Sequence, residues 1–406
     1  MRALGGRKVN MKIAIISSQY FWLPEEAGPT RFYSIAKVFK DAGHDVEIIT
    51  SSFEHHEKKQ RNKALNSPFE MVYIDCPSYK KNVGVSREIS NIVFTRKVAS
   101  YLKKSGKKYD AVYCSLPPNN ISAVVGKYCQ KNHIPFVADI EDLWPEAMDM
   151  IVPKPLRFIF HSYHIDAEKT YKYVDAVVGT SEEYSLRASK YNGRKIPYRT
   201  VYVGCDVDAF DREAEENMHK VNKPDEEVWI TYAGSIGHSY AIDNLVRTAK
   251  ILQDKNKNQY KFKILGSGPL KDDVEKLSSD LGCKNIEFLG YVAHPLMAAY
   301  LTKSDILINS FAKGAPQSIV NKIGDYLAAA KPMINTLEND EMKKLVVEYG
   351  IGINVPSEDA ESLGKAIETI IDDGTRAKKA RALAERKFDR KTSYMEIIEI
   401  IEEMRS

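Results

Sequence analysis

Cysteine is scarce and poorly placed for structural work. Cys76, Cys114, Cys129, Cys205 and Cys283 are scattered, odd in number and never in a C-x-x-C pair. That excludes a disulfide framework and a cysteine zinc site, and fits reduced thiols in a cytoplasmic protein. Long hydrophobic runs are missing as well. None reaches the roughly 18 residues of a spanning helix, and the opening "MRALGGRKVN" lacks the apolar centre of a signal peptide. The expectation is therefore a cytoplasmic chain whose fold starts at a second methionine, Met11. The charge imbalance is small, +4 over 406 residues, and gives no ground for a nucleic-acid partner. A dinucleotide fingerprint is absent too. Gly266-Ser267-Gly268 lacks the third glycine of G-x-G-x-x-G, and the first strand runs into "ISSQYFW" with no glycine at all. Neither a nicotinamide cofactor, nor any other cofactor, nor a metal is expected.

What is present is enough apolar residue, 43% of the chain, for two domains with separate cores. Strand and helix patterns alternate. "MKIAIISS" reads as a buried strand, "EEAGPTRFYSIAKVFKDAG" as a turn and helix closed by Gly43, and "HDVEIIT" as the next strand. "DAVYCSL", "IPFVADI" and "DAVVGTS" continue the series. Around Val203 to Val228 a charged, acid-rich segment interrupts it, and the opening theme then restarts with "EVWITYAGSIG", "YAIDNLVRTAKILQD" and "YKFKILGSGP". The restart predicts an α/β chain of two Rossmann-like domains facing a cleft. Their expected spans are 1–205 and 206–385, with 386–406 an amphipathic helix that either returns to the first domain or forms a dimer. Sheets of this kind bind ligands beyond the carboxyl ends of their strands.

Basic residues cluster in the first half: Arg96, Lys97, Lys103, Lys104, Lys107 and Lys108, with Phe94 and Tyr101 interleaved. A solvated helix face accounts for such a stretch, and so does attachment to an anionic lipid surface, worth about 1 kcal/mol per basic residue close to it. "KPLRFIFHSYH" (Lys154 to His164) adds aromatic and basic residues to the membrane reading.

The most informative stretch is "SIVNKIGDYLAAAKPM", Ser318 to Met333. Ser318 can cap a helix, and Ile319, Ile323 and Leu327 recur about once per turn. A helix beginning there offers unpaired N–H groups and a positive dipole end to an anion, with Lys322 one turn inside and Asp325 able to accept from sugar hydroxyls. A phosphate beside a ribose would suit both, whereas an exposed Lys–Asp pair on a surface helix needs no ligand. Gly234 and Gly237 around Ser235 let backbone approach a ligand closely at the head of a helix, where amide hydrogens attract phosphate, or else form a tight structural turn.

In this setting the chain resembles glycosyltransferase family 4. The stretch is similar to a P-S-K-x-x-E-Y-L-A-x-G-K-P segment after a strand like "SDILINSF", and "DIEDLWPEA" looks like the D-L-W-P-E motif of a bacterial subgroup including N-acetyl-L-fucosamine transferases. "YAGSIGHSYAIDNLVRTA", "KILGSGPLKDDVEKL", "IEFLGYVAHPLMAAYLTKSDILI" and "YGIGINVPSEDAESLGKAI" fall in the family's order. The resemblance implies a GT-B fold, a nucleotide-sugar donor and retention at the anomeric carbon. It further implies that Asp325 meets the ribose, Gln317 the transferred sugar, and Ser318, Ile319 and Lys322 the diphosphate. Backbone at Tyr291 and Val292 would read the nucleobase. Gly28 and Pro29 would belong to a loop over the sugar phosphate with Arg31 behind it, and Asp142 and Glu146 would face the acceptor. Gly234, Ser235, Gly237, Gly266 and Gly268 would line the donor side.

Several positions depart from the family pattern. The two acids of E-x7-E are Gln317 and Asp325. The usual Gly-Arg and Lys-Gly pair is replaced by "GSIGHSYA", and the usual His-Asp pair is Glu141-Asp142. Lys322, Arg31 and Lys271 are the remaining candidates to meet the leaving charge. Trp144 is expected to be scaffold. The function implied is sugar transfer from a UDP-sugar to a polyprenyl-diphosphate-linked acceptor at the inner leaflet, in capsule, O-antigen or exopolysaccharide synthesis. Two alternatives stand beside it: a UDP-sugar 2-epimerase, and an inactive subunit supporting a partner transferase.

Overall fold

The computed structural model describes residues 10–18, 30–55, 58–61, 67–81, 84–142, 144–146, 153–192, 194–370 and 374–405. The chain parts into two units, Met1–Val201 with Tyr394–Ser406, and Tyr202–Ser393.

Unit 1 is a seven-stranded parallel sheet. Its strands are β1 (Lys12–Ser17), β2 (Asp45–Ser51), β3 (Glu70–Ile74), β4 (Ala111–Leu116), β5 (Phe136–Ile140), β6 (Ala176–Gly179) and β7 (Tyr198–Thr200), ordered β3-β2-β1-β4-β5-β6-β7. Ile13, Ile15, Val112, Val137 and Val178 are buried on one face or the other, as expected when helices cover both. The last part of the chain belongs here. Ile397, Ile398, Ile400 and Ile401 of the Met395–Glu403 helix are buried in the same core as Phe32 and Val178.

The amphipathic helix expected from 386 onward is shorter than the sequence pattern. Asp389 accepts the backbone bonds that start a separate turn at Arg390–Ser393, so the long helix is broken before Tyr394. Phe388, just upstream, stays with unit 2, where its carbonyl accepts from Cys205 N–H at 2.9 Å and its ring stacks on Tyr202.

Unit 2 is a six-stranded parallel sheet. Its strands are β8 (Val228–Ala233), β9 (Tyr260–Leu265), β10 (Ile286–Gly290), β11 (Ile306–Asn309), β12 (Met333–Asn335) and β13 (Gly352–Asn354), ordered β10-β9-β8-β11-β12-β13. Chain order reverses between β8 and β11, which makes the carboxyl ends of those two strands the topological switch point of the unit. The acid-rich segment before β8 has secondary structure of its own. Val207–Asn217 is a helix capped by Asp206, whose Oδ1 accepts from Ala209 N–H at 2.9 Å.

Candidate functional site

Lys322 lies at that switch point. Its helix ends at Ala328 and begins at Lys322, three residues later than a cap at Ser318 predicts. Ser318 is therefore not its cap. The N–H groups of Ile323 and Gly324 already donate to the carbonyls of Val320 and Asn321. A free helix end is thus not found at Ser318, and the Lys322 side chain lies at this place instead. Tyr326 fixes the helix in place: its buried hydroxyl accepts from Ala233 N–H at 2.8 Å and lies 3.2 Å from the Ile308 carbonyl, joining the helix to the ends of β8 and β11.

The stem of Lys322 is partly exposed, but its Nζ is buried and has no hydrogen-bond partner among the described residues. Aromatic rings surround it, with Tyr232 at 4.1 Å, Phe311 at 5.3 Å, Tyr240 at 5.4 Å and Tyr326 at 5.7 Å from their centroids. The rings attract a cation but give it no acceptor. Burial alone brings the amine down to about 7. Gln317 Oε1 and Ser318 Oγ, in the loop leading to the helix, are likewise buried without a hydrogen-bond partner among the described residues. A native fold keeps such groups unpaired where something else satisfies them.

The two glycine turns meet beside this amine. A Cβ on Gly234 would stand 2.9 Å from Tyr232 Oη and 3.6 Å from Lys322 Nζ. A Cβ on Gly266 would fall 1.8 Å from the Gly234 carbonyl oxygen, and one on Gly268 would fall 2.2 Å from that of Ile236. Glycine is thus needed at 266 and 268 so that the turns can pack on each other, whereas Gly237 has only Pro269 nearby at 3.9 Å. Ser235 is exposed on this rim. Lys271 is occupied elsewhere, paired with Glu275 at 2.7 Å.

Asp325 is not paired with Lys322. It is held by His294, whose Nε2 is 3.3 Å from Asp325 Oδ1 and whose Nδ1 is 2.6 Å from Glu213 Oε2. Asp325 and Glu213 lift the imidazole to about 9. Neither His294 nor Glu213 was expected as a site residue. The clue lay in "YVAHP", where a histidine opens a helix directly after the loop with Tyr291, which is 82% exposed, and the half-buried Val292. Ile319 packs against the core beneath.

The remaining candidates are in unit 1, and Gly28 and Pro29 lie outside the described residues. Arg31 is 4% exposed, and its Nε and Nη2 each donate to Asp139 at 2.9 Å while Nη1 donates to the Val201 carbonyl at 3.0 Å. Burial works against this guanidinium, but Asp139 and its other neighbours hold its pKa well above the usual value. Arg31 therefore ties its helix to β5 and to the chain after β7, and is committed to the core. Glu146 is ion-paired with Arg187, and Asp142 is exposed. Between β5 and Asp142, Glu141 has a buried Oε1 without a hydrogen-bond partner among the described residues. Its pKa is pushed well above the carboxylate range by burial and by Asp139. Trp144 is buried against Tyr163 and Arg87, as a scaffold residue would be.

Residues 213–389, most of unit 2, match the family described as Glycosyl transferases group 1. The similarity to group 1 glycosyltransferases thus falls on unit 2. The buried lysine, the glycine turns and the His294–Asp325 pair all lie within the matched residues. Among curated relatives, an Escherichia coli K12 protein named as a colanic acid biosynthesis glycosyl transferase, WcaI, is 25% identical over 191 residues, which is 46% of each chain. A Campylobacter jejuni enzyme named as an α-1,4-N-acetyl-D-galactosaminyltransferase acting on a diNAcBac-PP-undecaprenol glycan is 26% identical over 147 residues, 36% of this chain and 38% of that one. The matches thus span about half the length of these relatives or less.

Solved structures align over far more of the chain. A Thermosynechococcus elongatus sucrose-phosphate synthase superposes at TM-score 0.72 with 18% identity, covering 97% of this chain and 99% of that one. Anabaena HepE in complex with UDP gives 0.69 with 15% identity, over 97% and 100%. These likenesses show the fold: two parallel-sheet α/β domains of the GT-B kind.

Proposed function

We propose that the chain transfers a sugar from a UDP-sugar to a polyprenyl-diphosphate-linked acceptor in bacterial surface-polysaccharide synthesis. The observation that carries this reading is the buried, unpartnered amine of Lys322 at the switch point of unit 2. A diphosphate is the group that would satisfy it, and the amine would take up a proton and become a charged donor as the anion arrives. When the sugar leaves, negative charge develops on that diphosphate. A preorganised donor at such a position is typically worth roughly 3 to 4 kcal/mol of barrier. The chain would perform this with retention and without a metal ion. The names of the Campylobacter and Escherichia coli relatives support the lipid-linked acceptor and the polysaccharide setting, with an N-acetylated or deoxyamino hexose as the transferred sugar.

Unit 1 offers a surface for the lipid. Val85, Ile89 and Ile92 form an exposed stripe on the Val85–Lys104 helix, continued by exposed Arg96 and Lys103. Lys154 to Ile159 are exposed throughout, with Phe158 at 72%. Part of the basic stretch belongs to the fold instead: Phe94 is buried, and Lys107 and Tyr101 bond the buried carboxylate of Glu47 at 2.6 and 2.5 Å. No helix among the described residues is long and apolar enough to cross a membrane, so attachment at the surface is the mode proposed.

Calorimetric titration with UDP in EDTA tests the reading. UDP should bind to the wild type, and Lys322→Met should abolish binding. No UDP binding by a folded wild type would overturn it.

A further inference from the structure

Asp325 stands where the family resemblance places a glutamate, and it lacks one methylene of reach. The neighbouring elements make up the difference. His294 opens the His294–Lys303 helix between two carboxylates, Glu213 at 2.6 Å on Nδ1 and Asp325 at 3.3 Å on Nε2. Phe210 meets the imidazole edge to face, with centroids 6.3 Å apart and planes at 81°. Phe210 and Glu213 are three residues apart on the Val207–Asn217 helix, so one face of that helix holds the ring by an apolar and an ionic contact together. The ring is then directed at the first turn of the Lys322–Ala328 helix.

An imidazole between two carboxylates is protonated at both nitrogens and donates to both. Asp325 Oδ1 is thereby occupied, while Oδ2 has no hydrogen-bond partner among the described residues. Held this way, the carboxylate has one oxygen left for a ligand and reduced freedom to turn away from it.

We propose that His294 is a positioning residue for the donor ribose: it fixes Asp325 so that the second carboxylate oxygen accepts from a ribose hydroxyl, and it thereby sets the preference for ribonucleotides over deoxyribonucleotides. This rests on the reading that unit 2 binds a UDP-sugar through Asp325. The physical basis of the preference is asymmetric. A carboxylate oriented for a hydroxyl is left unpaired by an analogue that lacks one, whereas a carboxylate free to rotate finds water instead.

The test compares UDP with 2′-deoxy-UDP and 3′-deoxy-UDP by calorimetry, on wild type, His294→Ala and His294→Gln, each shown to be folded by its thermal melt. Wild type should bind UDP about tenfold or more tightly than at least one deoxy analogue, as expected for a hydrogen bond to a charged group. In His294→Ala the ratio should fall to within about threefold, and His294→Gln, which keeps one donor, should fall between. The charged groups facing the ring are Glu213 from one helix and Asp325 from the other, and both favour its protonated form. The wild-type ratio should accordingly hold through neutral pH and decline as pH passes about 9, and the His294→Ala ratio should not change there. A His294→Ala ratio equal to that of wild type overturns the inference while leaving UDP binding intact. Absence of UDP binding by wild type overturns the donor reading and this inference with it.

Discussion

An amine without an acceptor among the described residues, close to four aromatic rings, costs the unliganded fold free energy, which the proposed diphosphate would return. Lys322 titrates near 7 in the folded chain and near 10.4 when unfolded. Between those values the unfolded chain holds the extra proton, so this residue makes stability rise with pH. Below about pH 7 the full penalty is present. Lys322→Met should therefore stabilise the unliganded protein by about 2 kcal/mol at pH 6, with the gain shrinking toward pH 10, while removing UDP binding. Urea melts of both proteins at the two pH values check this, and equal stabilities throughout would mean that the amine is not desolvated. Arg31 is the opposite case, since its charge is spent inside the fold. Asp139→Ala should destabilise unit 1 by roughly 3 to 5 kcal/mol, because it leaves a buried guanidinium without its partner. UDP affinity, measured below the melting transition, should be unchanged. A loss of UDP affinity without loss of stability would restore Arg31 to the donor site.

Among the elements, the short strands at the edge of unit 2 depend on polar side chains. Asn309, Asn335 and Asn354 end β11, β12 and β13 in register. They form a ladder in which Asn309 Nδ2 donates to Asn335 Oδ1 and Asn335 Nδ2 to Asn354 Oδ1, each at 2.8 Å. Asn335→Ala leaves amide groups on both sides unpaired and should cost about 2 to 4 kcal/mol, read as a lowered urea midpoint at unchanged slope. An unchanged midpoint would show that water replaces the ladder at no cost.

The sequence repeats Ile-Asn at the ends of all three strands. Of these strands only β11 was legible, in "SDILINSF"; β12 and β13 are three residues each and carry no apolar run of their own, and a ladder requires register, which only the folded sheet supplies. The same holds for the helix at Lys322. Its apolar spacing was legible from Ile319 onward, yet its start was set by Tyr326 anchoring to β8 and β11, a contact between residues about 93 apart in sequence. Glycine at 266 and 268 was visible as a turn signal. That it serves the packing of one turn on another, through the carbonyls of Gly234 and Ile236, was not.

At the scale of the whole molecule, the doubled Rossmann pattern was readable because each half repeats the same strand and helix periodicities, and the solved structures share that fold over 97% of the chain. The division at Tyr394 was harder to read, since Phe388 and Tyr394 lie in one amphipathic pattern and belong to different cores. Lys322 stood out through the family resemblance, whereas the His294–Glu213 contact was not legible, because its members come from two helices and lie 81 positions apart.

The exposed aliphatic and basic residues of unit 1 lead to a prediction of the same scope. The protein should float with vesicles of phosphatidylcholine and phosphatidylglycerol but not with phosphatidylcholine alone, and Phe158→Asp with Ile159→Asp should stop flotation without changing UDP affinity. Flotation unaffected by the double substitution would place the lipid contact elsewhere.

The most direct test of the central claim is calorimetric titration of the full-length protein with UDP, GDP, dTDP, ADP and NAD in EDTA, repeated with Lys322→Met and run in two buffers of different ionisation enthalpy. Selective UDP binding that is lost in Lys322→Met and takes up a proton at pH 8 is the predicted result. No nucleotide bound by the folded wild type, or UDP bound equally well by Lys322→Met, would contradict the account.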